Sequence, residues 1–254
     1  MSHEIPADGN CVACRSGAYT HADERLCAMC WTSPFRVAAR AARAGKRATV
    51  IAFIGVIGSG KDYSANKLVE SGGFERVDFK DGLLDLASDI VGYDVRADYE
   101  WFKEYPIGVV RPANILQEPA YEKARDVILK SHPFTMTGRR LLTRLGTEGM
   151  RKRDENYWVK QFIAAADTVV KRGNFVTTAD CRFLNEIRAV QYMDPNATFI
   201  FCDYRSNRYN PSLNHASEHL AQRLLAMGLK DGELITETHL TDAFSPFDIV
   251  AAAK

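Results

Sequence analysis

Residues 51–68 read IAFIGVIGSGKDYSANKL, and their order decides the fold. Thr49 to Ile54 is apolar and rich in strand formers, the pattern of a strand buried on both faces. Gly55, Gly58 and Gly60 then leave the backbone without Cβ groups, so successive N–H groups can turn inward onto one anion. A helix opening near Gly60 adds the positive end of its dipole. Lys61 completes the spacing GxxxxGK and can reach the β- and γ-phosphates of a nucleotide. Serine or threonine is expected next, for magnesium, but Asp62 stands there. The metal contact is therefore open between Asp62, Ser64, Ser59 and water held by them. Ser59 and Tyr63 are counted with the glycines, Lys61 and Asp62 as the cofactor-binding loop.

The chain has 254 residues, enough for one sizeable α/β domain and a small module. A formal net charge of +1 gives no bulk attraction to nucleic acid or to a membrane surface. No apolar run approaches the length of a membrane span. The start, MSHEIPADGN, lacks the basic and apolar regions of a signal peptide, so a cytoplasmic protein with reduced cysteines is expected.

Cys11, Cys14, Cys27 and Cys30 form two CxxC knuckles. That spacing suits one tetrahedral zinc held by four thiolates, with the metal supplying the folding energy of a small module. Ser33 and Pro34 read as a helix cap and first helical position, and Gly45 as the stop. Arg36, Arg40 and Arg43 share a helical face and, with Lys46 and Arg47, make a basic stripe. The stripe is either a solvated linker or a face for nucleic acid or a partner. The organisation expected is a zinc module over 1–33, a basic helical linker over 34–48 and a nucleotide-binding domain over 49–254.

Further along, a second strand is expected at Glu75–Phe79 and a helix at Asp81–Val91. Tyr93 to Pro133 has no regular reading. A basic helix over Arg139–Met150 is expected to break at a polar turn at Gly146. A long amphipathic helix over Asp154–Arg172, capped by Asp154, buries Val159, Phe162, Ile163, Ala166 and Val170. Trp158 near its start suits either the core or a base stack.

Asn174–Ala179 reads as a strand running into Asp180, which is placed to hold hydrated magnesium or, alternatively, to cap a helix. Cys181 reads as a small buried residue rather than a nucleophile. A strand at Ala197–Cys202 precedes a polar segment carrying Arg205 and Arg208. Those arginines can close over a transferring phosphate or stay solvated. A helix at Ser217–Met227 and a last strand at Phe247–Ala252 complete an α/β fold with a mainly parallel sheet flanked by helices.

In order, GVIGSGKD, GTEGMR with the following NYWVKQF, TTADCRFLNE and HASEH resemble the phage deoxynucleoside monophosphate kinases. An SGKD loop is common in that family, which makes Asp62 a family trait. Animal phosphomevalonate kinases share the loop, so it does not choose the acceptor by itself. The resemblance covers Thr49 to the C-terminus and leaves the zinc module outside. It implies a P-loop kinase fold using ATP and magnesium, with the terminal phosphate passed to the 5′-phosphate of a deoxynucleoside monophosphate. It also implies work in the cytoplasm of an infected bacterial host, and it admits a homodimer.

On the same resemblance, Lys61 and the loop amides would neutralise the donor, and Asp180, with Asp62, would organise magnesium. Arg151 and Arg182 would hold the acceptor phosphate or the moving phosphoryl group, with Arg205 and Arg208 closing over it. Glu148 and Trp158 would shape the nucleoside pocket, and Glu218 would position a lid or sugar contact. Two other readings stay open. One is a kinase acting on a modified base within phage DNA, engaged through the zinc module and basic stripe. The other is a zinc-bearing interaction protein that binds nucleotide without turnover.

Overall fold

The computed structural model describes residues 33–34, 36–38, 49–104, 137–203 and 218–244. In chain order its elements are β1 (Val50–Ile54), α1 (Lys61–Glu70), β2 (Phe74–Arg76), α2 (Asp81–Val91), α3 (Tyr99–Glu104) and α4 (Gly138–Thr143). A π-helix (Arg144–Arg151) follows, then α5 (Tyr157–Lys171), β3 (Phe175–Thr178), α6 (Leu184–Met193), β4 (Thr198–Phe201), α7 (His219–Ala226) and α8 (Glu237–Ala243). Two units divide the chain: residues up to Arg76 and from Asp167 onward form one, and Val77–Ala166 the other. The four cysteines of the expected zinc module, most of the basic stripe, Arg205, Arg208 and the strand expected at Phe247–Ala252 lie outside the described residues.

The first unit is α/β, and its four described strands run parallel in the order β2-β3-β1-β4. Val50 pairs with Val176 on one side of β1, and Ile51 with Thr198 on the other. A central parallel strand is covered on both faces, and β1 is accordingly buried at every position. Ile51 and Phe53 pack with Ala65 and Leu68 of α1 and with Ala38. Pro34 is helical and buried, and Ala38 joins the same core, so this part of the expected linker is built into the sheet's packing.

The entry to β1 is fixed by Asp194, just past α6. Its Oδ2 accepts the backbone N–H groups of Thr49 and Val50 at 2.5 and 3.2 Å, and its Oδ1 accepts that of Asn196 at 2.8 Å. A buried carboxylate thereby satisfies donors that precede the sheet ladder. Each parallel strand thus enters the sheet at one edge and delivers its C-terminal end to the other, where ligands of open α/β sheets gather.

In the second unit, Leu84, Ala87 and Ile90 of α2 pack with Phe102 of α3, Leu141 of α4, Leu145 and Met150 of the π-helix, and Trp158 of α5. Phe79 stacks on Phe162 with ring centroids 3.9 Å apart.

Several expectations need correction. The second strand is shorter and earlier than Glu75–Phe79, because Phe79 joins the Phe162 stack rather than the ladder. Gly146 is no turn: the chain runs on from α4 into the π-helix. The wide turn is filled closely. A Cβ on Gly146 would lie 3.1 Å from Leu83 and one on Gly149 3.0 Å from the Arg144 carbonyl, while the Trp158 indole N–H donates to the Gly146 carbonyl at 3.2 Å. Asp154 does not start α5. Its carboxylate takes the Asn156 N–H and the Lys160 ammonium, and the helix begins at Tyr157. On that helix Val159, Phe162 and Ala166 are buried as expected, but Ile163 and Val170 are only partly so, and Val169 is buried instead. The irregular reading from Tyr93 missed α3. Helix α8 also went unread. Its capping box is Thr236 with His239, in place of the usual Glu or Gln at the third position.

Candidate phosphate-binding site

Between β1 and α1 the chain turns through Gly55–Gly60. Gly60 is the N-cap of α1 at φ 90°, ψ 4°, a left-handed conformation that favours glycine, and no side chain caps the helix. The first-turn N–H groups of α1 are therefore left for an outside acceptor, at the positive end of the helix. Gly55 serves a different need. A Cβ there would lie 2.3 Å from the Cys202 carbonyl and 2.4 Å from Ser59 Oγ, so only glycine lets the loop pass this close to the end of β4.

Lys61 is 4% exposed, and its ammonium donates to the Val56 carbonyl at 3.2 Å. This is its one hydrogen bond among the described residues, against three donors available. Burial lowers its pKa, the neighbouring Arg182 lowers it further, and the carboxylates of Asp62, Glu218 and Asp180 work the other way. Ser59 Oγ is buried with no partner among the described residues. Open helix amides, an under-satisfied buried ammonium and an orphaned hydroxyl form a donor set that suits a polyphosphate.

The three magnesium candidates separate. Ser64 is buried and its hydroxyl pairs with the Cys202 thiol in the core. Asp62 is half exposed and carries Arg76 on its Oδ1 at 2.5 Å. Ser59 alone of the three has a buried oxygen without a partner among the described residues. Tyr63 is exposed, with the Lys67 ammonium 5.7 Å from its ring centre.

Asp180, Arg182 and Glu218 meet beside Lys61. Asp180 lies two residues past β3 and does not cap α6, whose N-cap is Phe183. Arg182 donates through Nε to Asp180 at 3.1 Å and through Nη1 to Glu218 at 2.9 Å. Burial opposes its charge, but Asp180, Glu218 and Glu186 outweigh that and raise its pKa. Glu218, the N-cap of α7, also accepts the Ile57 N–H of the loop at 2.9 Å.

Glu186 escaped the sequence reading. Its Oε2 accepts the N–H groups of Arg182 and Phe183 and so fixes the turn that presents Arg182. The signal was its position three residues after the helix N-cap. Arg76, the partner of Asp62, carried no sequence signal. Cys181 is buried, and burial pushes its thiol pKa well up, so it has no thiolate to offer as a nucleophile.

The other expected site residues belong to the second unit. Glu148 and Arg151 are on the π-helix, Glu148 exposed and Arg151 partly buried. Trp158 is 3% exposed within the core, its N–H committed to Gly146. Among the described residues no cluster of three His, Cys, Asp or Glu could hold a metal ion, and no helix is long and apolar enough to cross a membrane. Comparison with protein-family models and with curated proteins finds no match to this chain.

Proposed function

We propose that this chain is a P-loop kinase that transfers the terminal phosphate of ATP to a deoxynucleoside monophosphate. The observation that carries the reading is the pairing of an open phosphate loop with a buried Lys61 and an Arg182 clamped at the end of β3. A loop alone would serve binding. A second, partly buried cation facing the same loop suits a reaction in which charge moves between two phosphates.

Lys61 and the α1 amides hold the donor's phosphates, with Ser59 supplying the unpaired hydroxyl. Asp180 positions Arg182, and its carboxylate at the strand end is also the natural partner for hydrated magnesium. Bound magnesium neutralises the donor's phosphates and orients them for in-line transfer. The acceptor is already an anion, so no strong general base is required. Arg151 and Glu148 remain the proposed acceptor side, Trp158 being a core residue beneath them, and Arg205 and Arg208 the arginines that close over it. The zinc module is proposed from its four cysteines, and a metal assay on reduced protein should find one zinc per chain.

The test is to incubate the protein with magnesium, ATP and each deoxynucleoside monophosphate in turn, with mass detection of products. One or more diphosphates should form, and Lys61→Ala should abolish both turnover and ATP binding. No diphosphate from any acceptor, together with parent-like ATP binding by Lys61→Ala, would refute the reading.

A further inference from the structure

Glu218 holds two donors that a phosphate would also want. Its Oε2 accepts the Ile57 N–H of the phosphate loop at 2.9 Å, and its Oε1 accepts Arg182 Nη1 at 2.9 Å. The carboxylate is almost fully buried, as the N-cap of α7. It comes from 161 residues away along the chain, so this is a tertiary contact and not local loop chemistry. A carboxylate and a phosphoryl group present similar acceptor oxygens to N–H and guanidinium donors.

We propose that Glu218 is an internal stand-in for phosphate: it holds the Ile57 amide and Arg182 before phosphate binds and is displaced from the amide by the donor's terminal phosphate. Loading the loop thereby releases the N-terminal end of α7. The inference rests on the loop being a polyphosphate site but not on phosphoryl transfer. A like charge so close to the incoming phosphates also weakens their binding, and removing it should strengthen binding.

The probe is magnesium tripolyphosphate, which carries the phosphates without a nucleoside. Calorimetric titration of the full chain compares the parent with Glu218→Gln, which keeps the size and loses the charge. Isoleucine-specific ¹⁵N labelling follows the Ile57 amide, assigned by its loss in Ile57→Val. Glu218→Gln should bind the probe roughly tenfold more tightly, the effect of removing one nearby like charge. In the parent, the probe should move the Ile57 resonance, which keeps the proposal testable should the variant not fold. Affinity unchanged or weaker in folded Glu218→Gln would overturn it, as would an Ile57 resonance that saturating probe leaves in place, or a parent that does not bind the probe. Tighter binding by the variant of a protein that forms no diphosphate would sustain this inference while refuting the kinase reading.

Discussion

Replacing Lys61 and Arg182 by methionine, one at a time, should change stability in opposite directions although both are cations of one cluster. Lys61 is 4% exposed and has a single hydrogen bond among the described residues, 3.2 Å to a neutral carbonyl. Burial is the largest influence on it, and it lowers the pKa, with Arg182 adding repulsion. A buried charge whose one hydrogen bond among the described residues goes to a neutral carbonyl is unfavourable, the nearby carboxylates offsetting only part of the effect of burial. Lys61→Met should therefore stabilise the empty protein by roughly 1–2 kcal/mol, within the range seen when buried charges give way to apolar side chains. Arg182 is clamped by two charge-assisted hydrogen bonds, to Asp180 and Glu218. Its loss leaves two buried carboxylates without their cation, which costs about 3–5 kcal/mol.

The pH dependence follows from the sign of the Lys61 shift. Its folded pKa lies below the unfolded value, so above the folded pKa the folded protein has shed a proton that the unfolded chain still binds. Stability relative to Lys61→Met then rises with pH through that window, and the advantage of the variant shrinks. Urea denaturation at neutral and at alkaline pH reads both effects. Added magnesium ATP supplies a second check: at a hundred times Kd it should stabilise the parent by about 2.7 kcal/mol and leave Lys61→Met unmoved. A Lys61→Met protein less stable than the parent without nucleotide, or an Arg182→Met protein as stable as the parent, would refute the reasoning.

Gly55→Ala should abolish ATP binding in a titration and lower stability by about 1–3 kcal/mol, because its Cβ meets a backbone carbonyl at 2.3 Å that cannot rotate away. Asp194→Ala should cost about 3–5 kcal/mol in urea denaturation, since it strips the acceptor from the N–H groups of Thr49, Val50 and Asn196, and Asp194→Asn should recover part of that. Trp158→Phe leaves the Gly146 carbonyl without its indole donor, and thermal melting should report a loss of about 1–3 kcal/mol.

The strand, glycine turn and helix of residues 50–70 were legible because their pattern is local. The strand, the glycines, Lys61 and the helix are contiguous, and each has a preference that can be read from a short window. The parallel order of strands was legible for a related reason, since apolar runs alternate with helical patterns and force crossover connections. Glu218 and Arg76 show where such reading stops. Their partners, Ile57 and Asp62, are set by tertiary packing that no window of sequence contains. Asp194 is the same case, an unremarkable residue in an MDPN turn whose four acceptor contacts include the first residues of β1. The π-helix misled for a different reason. GTEG carries two residues with poor helix propensity, and the packing of Leu83 and Trp158 against that turn outweighs the propensity.

Charge balance decides what the cluster still requires in order to hold a nucleotide. Lys61 and Arg182 face Asp180 and Glu218, with Glu186 a third carboxylate acting on Arg182, while Asp62 is balanced by Arg76. Such a cluster offers directed donors but little net positive field, whereas a triphosphate arrives with a large negative charge. Directed donors orient the phosphates, and a counter-charge must come with them. The affinity for ATP should therefore collapse when magnesium is chelated, by more than tenfold. Glu218→Gln removes one negative charge from the cluster, so the same chelation should cost that variant distinctly less. Parallel ATP titrations of parent and variant, each with and without a chelator, measure the difference. An equal loss in both proteins would mean that Glu218 does not share its field with the bound phosphates, and that the balance of charge around Lys61 is a matter of folding alone.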